Sequence, residues 1–159
     1  MAATLHFFCG KMAAGKSTLA RKIAAEENAL LLSEDHWLGT LYPVEIAEIA
    51  DYIKYSGRLR EALRDHIAAL LRSGSSVVLD FPANTRRQRS WFRSIIDLSG
   101  ANHILHFIDL SDEACLGQLR ERSRDLPEGA PFTTEREFHA VTAYFDPPSD
   151  DEGFRVLRI

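Results

Sequence analysis

The sequence predicts an α/β fold, a doubly wound parallel sheet with helices on both faces. Three observations carry that prediction. Short runs such as Val77-Val78-Leu79 are apolar throughout rather than alternating, as strands buried on both faces require. Segments with apolar residues at three- and four-residue spacing separate these runs, and glycine, proline and small polar residues mark the joints.

In chain order, the first strand is expected over Thr4 to Cys9. A helix over Lys16 to Glu27, rich in alanine and lysine, follows directly on Gly15. A second strand is expected over Ala29 to Ser33. From Glu45 to Leu71, apolar residues recur at helical spacing (Ile46, Ile49, Ile53, then Leu59, Leu63, Ile67, Leu70 and Leu71), with Gly57 expected to break the pattern into two helices. A third strand covers Ser76 to Phe81, and a helix over Thr85 to Leu98 carries arginines on one side and Trp91, Phe92, Ile95 and Ile96 on another. Asn84 or Thr85 is placed to cap it. A fourth strand is expected over Ile104 to Leu110, and a helix over Asp112 to Arg124 opens at Ser111, a cap-forming residue. Pro127, Gly129 and Pro131 forbid a regular element over Asp125 to Phe132, so a mobile surface loop is expected there. A last helix over Glu135 to Tyr144, a turn through Pro147, Pro148 and acidic residues 149–152, and a closing strand over Phe154 to Ile159 complete the chain.

A length of 159 residues, 45% of them hydrophobic, suits one domain spanning 1–159. The formal charge of −4 repels a polyanion, which makes nucleic acid an unfavoured partner. Cys9 and Cys115 form no CxxC pair and have no clustered histidines, so two buried thiols are expected rather than a zinc site or a disulfide. No signal-peptide pattern is visible, and no apolar stretch approaches the ~18 residues of a membrane span. A cytoplasmic, soluble monomer or homodimer is the expectation.

The chemistry begins at Gly10-Lys11-Met12-Ala13-Ala14-Gly15-Lys16-Ser17, which matches the pattern GxxxxGK(S/T) between a strand and a helix. The glycines permit backbone angles that turn amide N–H groups toward a phosphate chain, and the N-terminus of the following helix adds partial positive charge. Lys16 supplies a point charge for the β- and γ-phosphates. The Ser17 hydroxyl is a hard oxygen ligand for magnesium, and Thr18 continues the helix from it. A carboxylate near magnesium is the second requirement, and Asp80, after three apolar residues, is the candidate. Asp80 as a cap for the next helix is the competing reading.

A group that accepts a proton from an acceptor hydroxyl is found in Asp35, at the carboxyl end of the second strand, where open α/β sheets collect ligands. An N-cap role is the alternative. Glu34 would point to the opposite side if the strand continued through it, and His36 reads as a surface or capping residue. Arg120, Arg122 and Arg124 close a helix and lead into the proline- and glycine-containing loop, a lid at about residues 120–135 that can bring cations over a transferring phosphate. Arginines at a helix C-terminus are also favoured by the macrodipole alone, and helical spacing separates Arg122 from the 120/124 face. Lys54, Arg58 and Arg60 lie where an acceptor would sit or on a solvated face, and Arg86, Arg87 and Arg89 read as a basic solvated face or an acceptor contact. His6, His103 and His106 read as packed or hydrogen-bonded strand residues.

With these residues in place, the sequence resembles the P-loop kinase superfamily. The likeness is to the bacterial kinases often labelled AAA-family ATPases, relatives of chloramphenicol phosphotransferase, the zeta toxins and polynucleotide 5'-hydroxyl kinases. It rests on GKMAAGKST at 10–18, LSEDHW at 32–37, YSGRLREAL at 55–63, VVLDFPANT at 77–85, LRERSR at 119–124 and the terminal DEGFRVLRI. The resemblance implies a three-layer P-loop NTPase fold with strand order 2-3-1-4-5, ATP with Mg2+, a base at Asp35, and a lid whose arginines are Arg120, Arg122 and Arg124. The implied activity is transfer of the γ-phosphoryl group to a hydroxyl of a small-molecule acceptor. A nucleotide-dependent regulatory ATPase acting through a protein partner and a polynucleotide 5'-hydroxyl kinase are the alternatives.

Overall fold

The computed structural model describes residues 2–127, 130 and 133–159. Five strands, β1 (Thr4–Cys9), β2 (Leu30–Ser33), β3 (Val77–Pro82), β4 (Asn102–Phe107) and β5 (Val156–Arg158), form one sheet in the order β2-β3-β1-β4-β5. Every pairing is parallel, as the uniformly apolar runs required. Six α-helices join them: α1 (Lys16–Glu27), α2 (Glu34–Leu41), α3 (Ile49–Arg72), α4 (Arg86–Ser99), α5 (Asp112–Ser123) and α6 (Glu135–Thr142).

Alternation along β1 explains the layers. Leu5, Phe7 and Cys9 enter one core with Leu59, Leu63 and Ile67 of α3 and Phe92 and Ile95 of α4. Phe8 enters another beneath α1, with Ala20, Ile23 and Val78. Ile108, Cys115, Leu116, Leu119 and Phe138 form a third around α5 and α6. Both faces of the central strand are therefore covered. His6 and His106, on the α1 face, approach at 3.0 Å through Nδ1 and Nε2, the hydrogen-bonded arrangement expected of strand histidines.

Three local outcomes differ from the sequence reading. The helix does not break at Gly57: α3 runs without interruption from a capping box formed by Glu48 and Asp51. Gly57 is exposed while Ser56, Leu59 and Arg60 stay buried, so it costs only the ~1 kcal/mol of an exposed helix glycine. The second strand ends at Ser33 as expected, but the chain turns at once into a helix, α2, that the sequence reading did not include, because the Ser33 hydroxyl accepts from the His36 amide at 3.4 Å. The fourth strand starts at Asn102 and ends at Phe107, three residues before the expected Leu110. Ile108 still donates to Cys9 O at 2.8 Å, and the chain then turns so that Ser111 caps α5.

The C-terminal segment is strapped to α4. Arg89, fully buried, donates to Glu152, to Ala83 O and to Asp146 O, and it is neither solvated nor directed to a ligand. An arginine reads as surface in a sequence; its burial here depends on Glu152, 63 residues away. Gly129 and Pro131, on which the mobile-loop expectation rests in part, lie outside the described residues. Among the described residues, no helix is long and apolar enough to cross a membrane.

Candidate active site

The phosphate loop, residues 10–17, bridges β1 and α1 at the carboxyl edge of the sheet. Its shape follows from three residues. Gly15 has φ of 103° and Ala13 φ of 63°, both in the left-handed region, and Ala14 N donates to Lys11 O at 3.0 Å to close the turn. A Cβ on Gly10 would lie 3.3 Å from Ile108 O and from Ala14 Cβ, so a side chain at the first position of the motif would press the loop against the segment just after β4 by a few tenths of an ångström. Gly10 N is held by the Asn84 side-chain carbonyl at 3.0 Å, which ties the loop to the end of β3.

Lys16 folds back over the loop, its ammonium donating to Gly10 O and, at 2.9 Å, to Lys11 O. Loss of water lowers its pKa to about 8, against the opposing pull of Cys9 and Asp80. The first turn of α1 contains no acidic residue, and no side chain caps it. Its amides are thus not taken up by a capping side chain, and the first turn itself carries no anion to offset the dipole. α2, α4, α5 and α6 each have a Ser or Thr cap instead.

Asp80, on β3, pairs in register with Ser33 at the end of β2. Asp35 follows two residues later, in the first turn of α2, so the topology brings the two carboxylates to one edge. Asp35 keeps an exposed surface, yet the surrounding protein withdraws enough water to raise its pKa. The Asp80 charge raises it further, and Arg122 and Lys16 oppose the shift. Lys16, Asp35, Asp80 and Arg122 therefore share one electrostatic neighbourhood.

The other two arginines at the end of α5 have carboxylate partners of their own. Arg120 lies 3.7 Å from Glu135, and Arg124 pairs with Glu121 at 2.7 Å. Lys11, Met12 and Ala13 form the outer wall of the loop, with Lys11 ion-paired to Asp112 at 2.7 Å. Ser17 is partly buried beside Lys16, and Thr18 is exposed with its hydroxyl 3.5 Å from Arg21. Beside Lys11, a cleft of about 290 Å³ opens between Phe107, Leu110, Phe145 and Arg158.

Sequence reasoning ranked Glu34 below Asp35 because of strand alternation. The structure separates them by a different route, since both lie in a helix: Glu34 turns inward and is 2% exposed. Tyr52, Ser56 and Arg60 meet it from α3. The missed signal was present: these three polar residues stand at i, i+4 and i+8, on the same helical face as Leu59 and Leu63. Asn84 was considered as a helix cap, but Thr85 takes that role, accepting from Gln88 N at 3.0 Å, and Asn84 serves the phosphate loop instead.

Comparison with known proteins places this geometry. A family model described as an AAA domain matches residues 5–148. A presumed kinase from Chloroflexus aurantiacus superposes with a TM-score of 0.76 at 17% identity, covering 100% of this chain and 88% of its own. Chaetomium thermophilum Kti12 in complex with ADP-AlF3 gives 0.67 at 17% identity, covering 97% and 88%. Mycobacterium tuberculosis APS kinase in complex with AMPPNP and APS gives 0.61 at 19% identity, covering 99% and 88%. No curated protein matches the sequence. The family model decides the family: the chain belongs to the AAA domain family, and it shares its fold with these solved structures.

Proposed function

We propose that this protein is an ATP-dependent phosphotransferase that moves the γ-phosphoryl group of ATP to a hydroxyl of a small-molecule acceptor. The observation that carries the reading is the convergence of Lys16, Asp80, Asp35 and Arg122 at the carboxyl edge of β1, β2 and β3. Nucleotide binding needs the first two. A carboxylate whose pKa is raised, exposed beside the phosphate loop, is what a kinase adds.

The residues divide the work. Amides of the 10–18 loop other than those of Gly10 and Ala14, which are bonded within the protein, and the Lys16 ammonium bind the phosphates, and the cleft beside Lys11 receives the adenine base. Ser17 and Asp80 are the residues that would hold magnesium; one hydroxyl and one carboxylate suit an ion that keeps most of its waters, and no cluster of three or more acidic, His or Cys ligands occurs among the described residues. When bound, that ion neutralises charge on the phosphates. Asp35 orients the acceptor hydroxyl and takes its proton, while Arg122 lies across the charge that develops on the transferred group.

The test is transfer from radiolabelled ATP into a panel of metabolites, antibiotics and oligonucleotides, followed by Asp35→Asn on the acceptor found. The variant is expected to keep its ATP dissociation constant and to lose ~10²- to 10⁴-fold in kcat. Wild-type transfer by the variant removes Asp35 from the mechanism. Loss of ATP binding moves it to the metal, and labelling of oligonucleotides alone would replace the acceptor class.

A further inference from the structure

We infer that Glu34, with Tyr52, Ser56 and Arg60, is a positioning device that fixes the direction of Asp35 toward the phosphate site. The inference rests on Asp35 serving as the base. Glu34 is buried at 2% exposure, where an ionisable carboxyl group needs partners. It has three: the Tyr52 hydroxyl donates to Oε1, the Ser56 hydroxyl donates to Oε2 at 2.8 Å, and Arg60 Nε lies 3.6 Å away.

Arg60 extends the device past α3. Its Nη2 donates to Pro82 O at 2.8 Å, two residues beyond Asp80, and its guanidinium lies over the rings of Trp91 at 4.9 Å and Phe92 at 5.5 Å. The first turn of α2 is thereby tied to α3, to the end of β3 and to α4. Stability alone does not call for this arrangement, because well-packed apolar side chains of the same volume do as well or better than a buried ion pair. What the directed hydrogen bonds add is a specific bearing for the short helix they hold.

The azimuth matters for two reasons. Residues 34 and 35 are adjacent on a helix, so a pin on the first sets the bearing of the second. Asp35 also faces a like charge, since Asp80 raises its pKa, and α2 has only eight residues with which to resist that repulsion. The Ser33–Asp80 register holds one side of the turn and the Glu34 cluster holds the other.

The probe is Mg·ATP with water as acceptor, followed in single turnovers with radiolabelled nucleotide, on a double-mutant cycle. Tyr52→Phe combined with Ser56→Ala removes two donors with little loss of volume, and melting curves confirm folding. The pair is expected to lower kcat by ~10²-fold, the effect of a displacement of about 1 Å, with the ATP dissociation constant unchanged within about twofold. Ser56→Thr, which keeps the hydroxyl, should restore most of that part of the rate which Ser56→Ala removes. In an Asp35→Asn background the same substitutions should change nothing, because a residue acting through Asp35 has no effect once Asp35 is gone.

The outcomes separate the two claims. If Asp35→Asn leaves hydrolysis unchanged, the base reading fails and the positioning role falls with it. If Asp35→Asn is slow but the paired variant matches wild type, only the positioning role is overturned. Losses that add to that of Asp35→Asn, or that appear equally in ATP affinity, overturn it as well, since they show action by another route.

Discussion

At the phosphate end of the site the side chains of Asn84 and Lys16 hold the loop by its main-chain atoms, whereas at the acceptor end buried side chains hold one another. At the first, Gly10 N, Gly10 O and Lys11 O take the restraining bonds, and the positive φ at Ala13 and Gly15 sets the path. At the second, Glu34 meets Tyr52, Ser56 and Arg60, at separations of 18 residues and more in the chain. Main-chain restraint recognises any phosphate chain, because it reads oxygen atoms and charge. Side-chain restraint can be redirected by single substitutions without rebuilding a loop. On the proposed function, recognition of the phosphate chain and choice of acceptor are thus carried by different kinds of bond.

The largest effect expected on this contrast is that of Lys16→Ala. Transfer should fall ~10³-fold and ATP affinity should drop, because one preorganised cation is lost from the phosphates. The melting temperature should stay within about 4 °C of wild type, since Gly10 N keeps its bond to Asn84 and the backbone turn remains. Titration calorimetry with Mg·ATP and a circular dichroism melt on one preparation check both halves. A collapsed melt would show that the loop depends on its lysine side chain, and the contrast between the two ends would be lost.

A smaller effect separates the arginines that follow Leu119. Arg122→Ala should lower kcat by ~10²-fold with little change in ATP affinity, because its charge is felt at Lys16 and Asp35 and acts on charge that develops late. Arg120→Ala and Arg124→Ala should stay within a few-fold of wild type, their partners being Glu135 and Glu121. Steady-state kinetics on the three variants decide it. Equal losses for all three would mean that the helix end moves as a unit over the phosphate.

The same contrast explains what could be read in the sequence. Residues 10–17 were legible because backbone geometry demands glycine at fixed spacing, and β1 and α1 have the bounds that the pattern predicted. Asp80 and Asp35 were legible because strand ends in a parallel sheet collect at one edge. The Glu34 cluster was not, for it joins residues across two helices and a strand end, and nothing local announces such a meeting. Arg60 and Arg89 were misread for the same reason: each is buried only through a carboxylate distant in the chain, Glu34 for one and Glu152 for the other. Gly57 misled in the opposite direction, because a local breaker signal was outweighed by the buried stripe from Ser56 to Leu71.

The smallest expected effect is a difference in the sign of the response to acid between the acceptor end and the sheet that carries the phosphate loop. His106, 5% exposed on β4, contacts His6 of β1, whose other ring nitrogen lies near Glu27 of α1. Burial first, then the neighbouring His6, lowers the His106 pKa from the ordinary 6.5 to about 4, with Glu27 opposing. Between those values the unfolded chain binds more protons than the folded one, so stability contributed by this group is lost as pH falls from about 6.5 toward 4. Glu34 behaves oppositely. Burial raises its pKa above 4.5, against the pull of Arg60, Tyr52 and Ser56, so the folded state holds the proton better and stability rises as pH falls through its folded value. Each group changes the folding constant by at most about tenfold per pH unit. Urea melts between pH 7.5 and 4.5 on wild type, His106→Gln and Glu34→Gln separate the two: the first variant should flatten the acid loss, and the second should steepen it. A Glu34→Gln profile parallel to wild type would show that Glu34 keeps one protonation state across this range, and the distinction between the two ends would then rest on geometry alone.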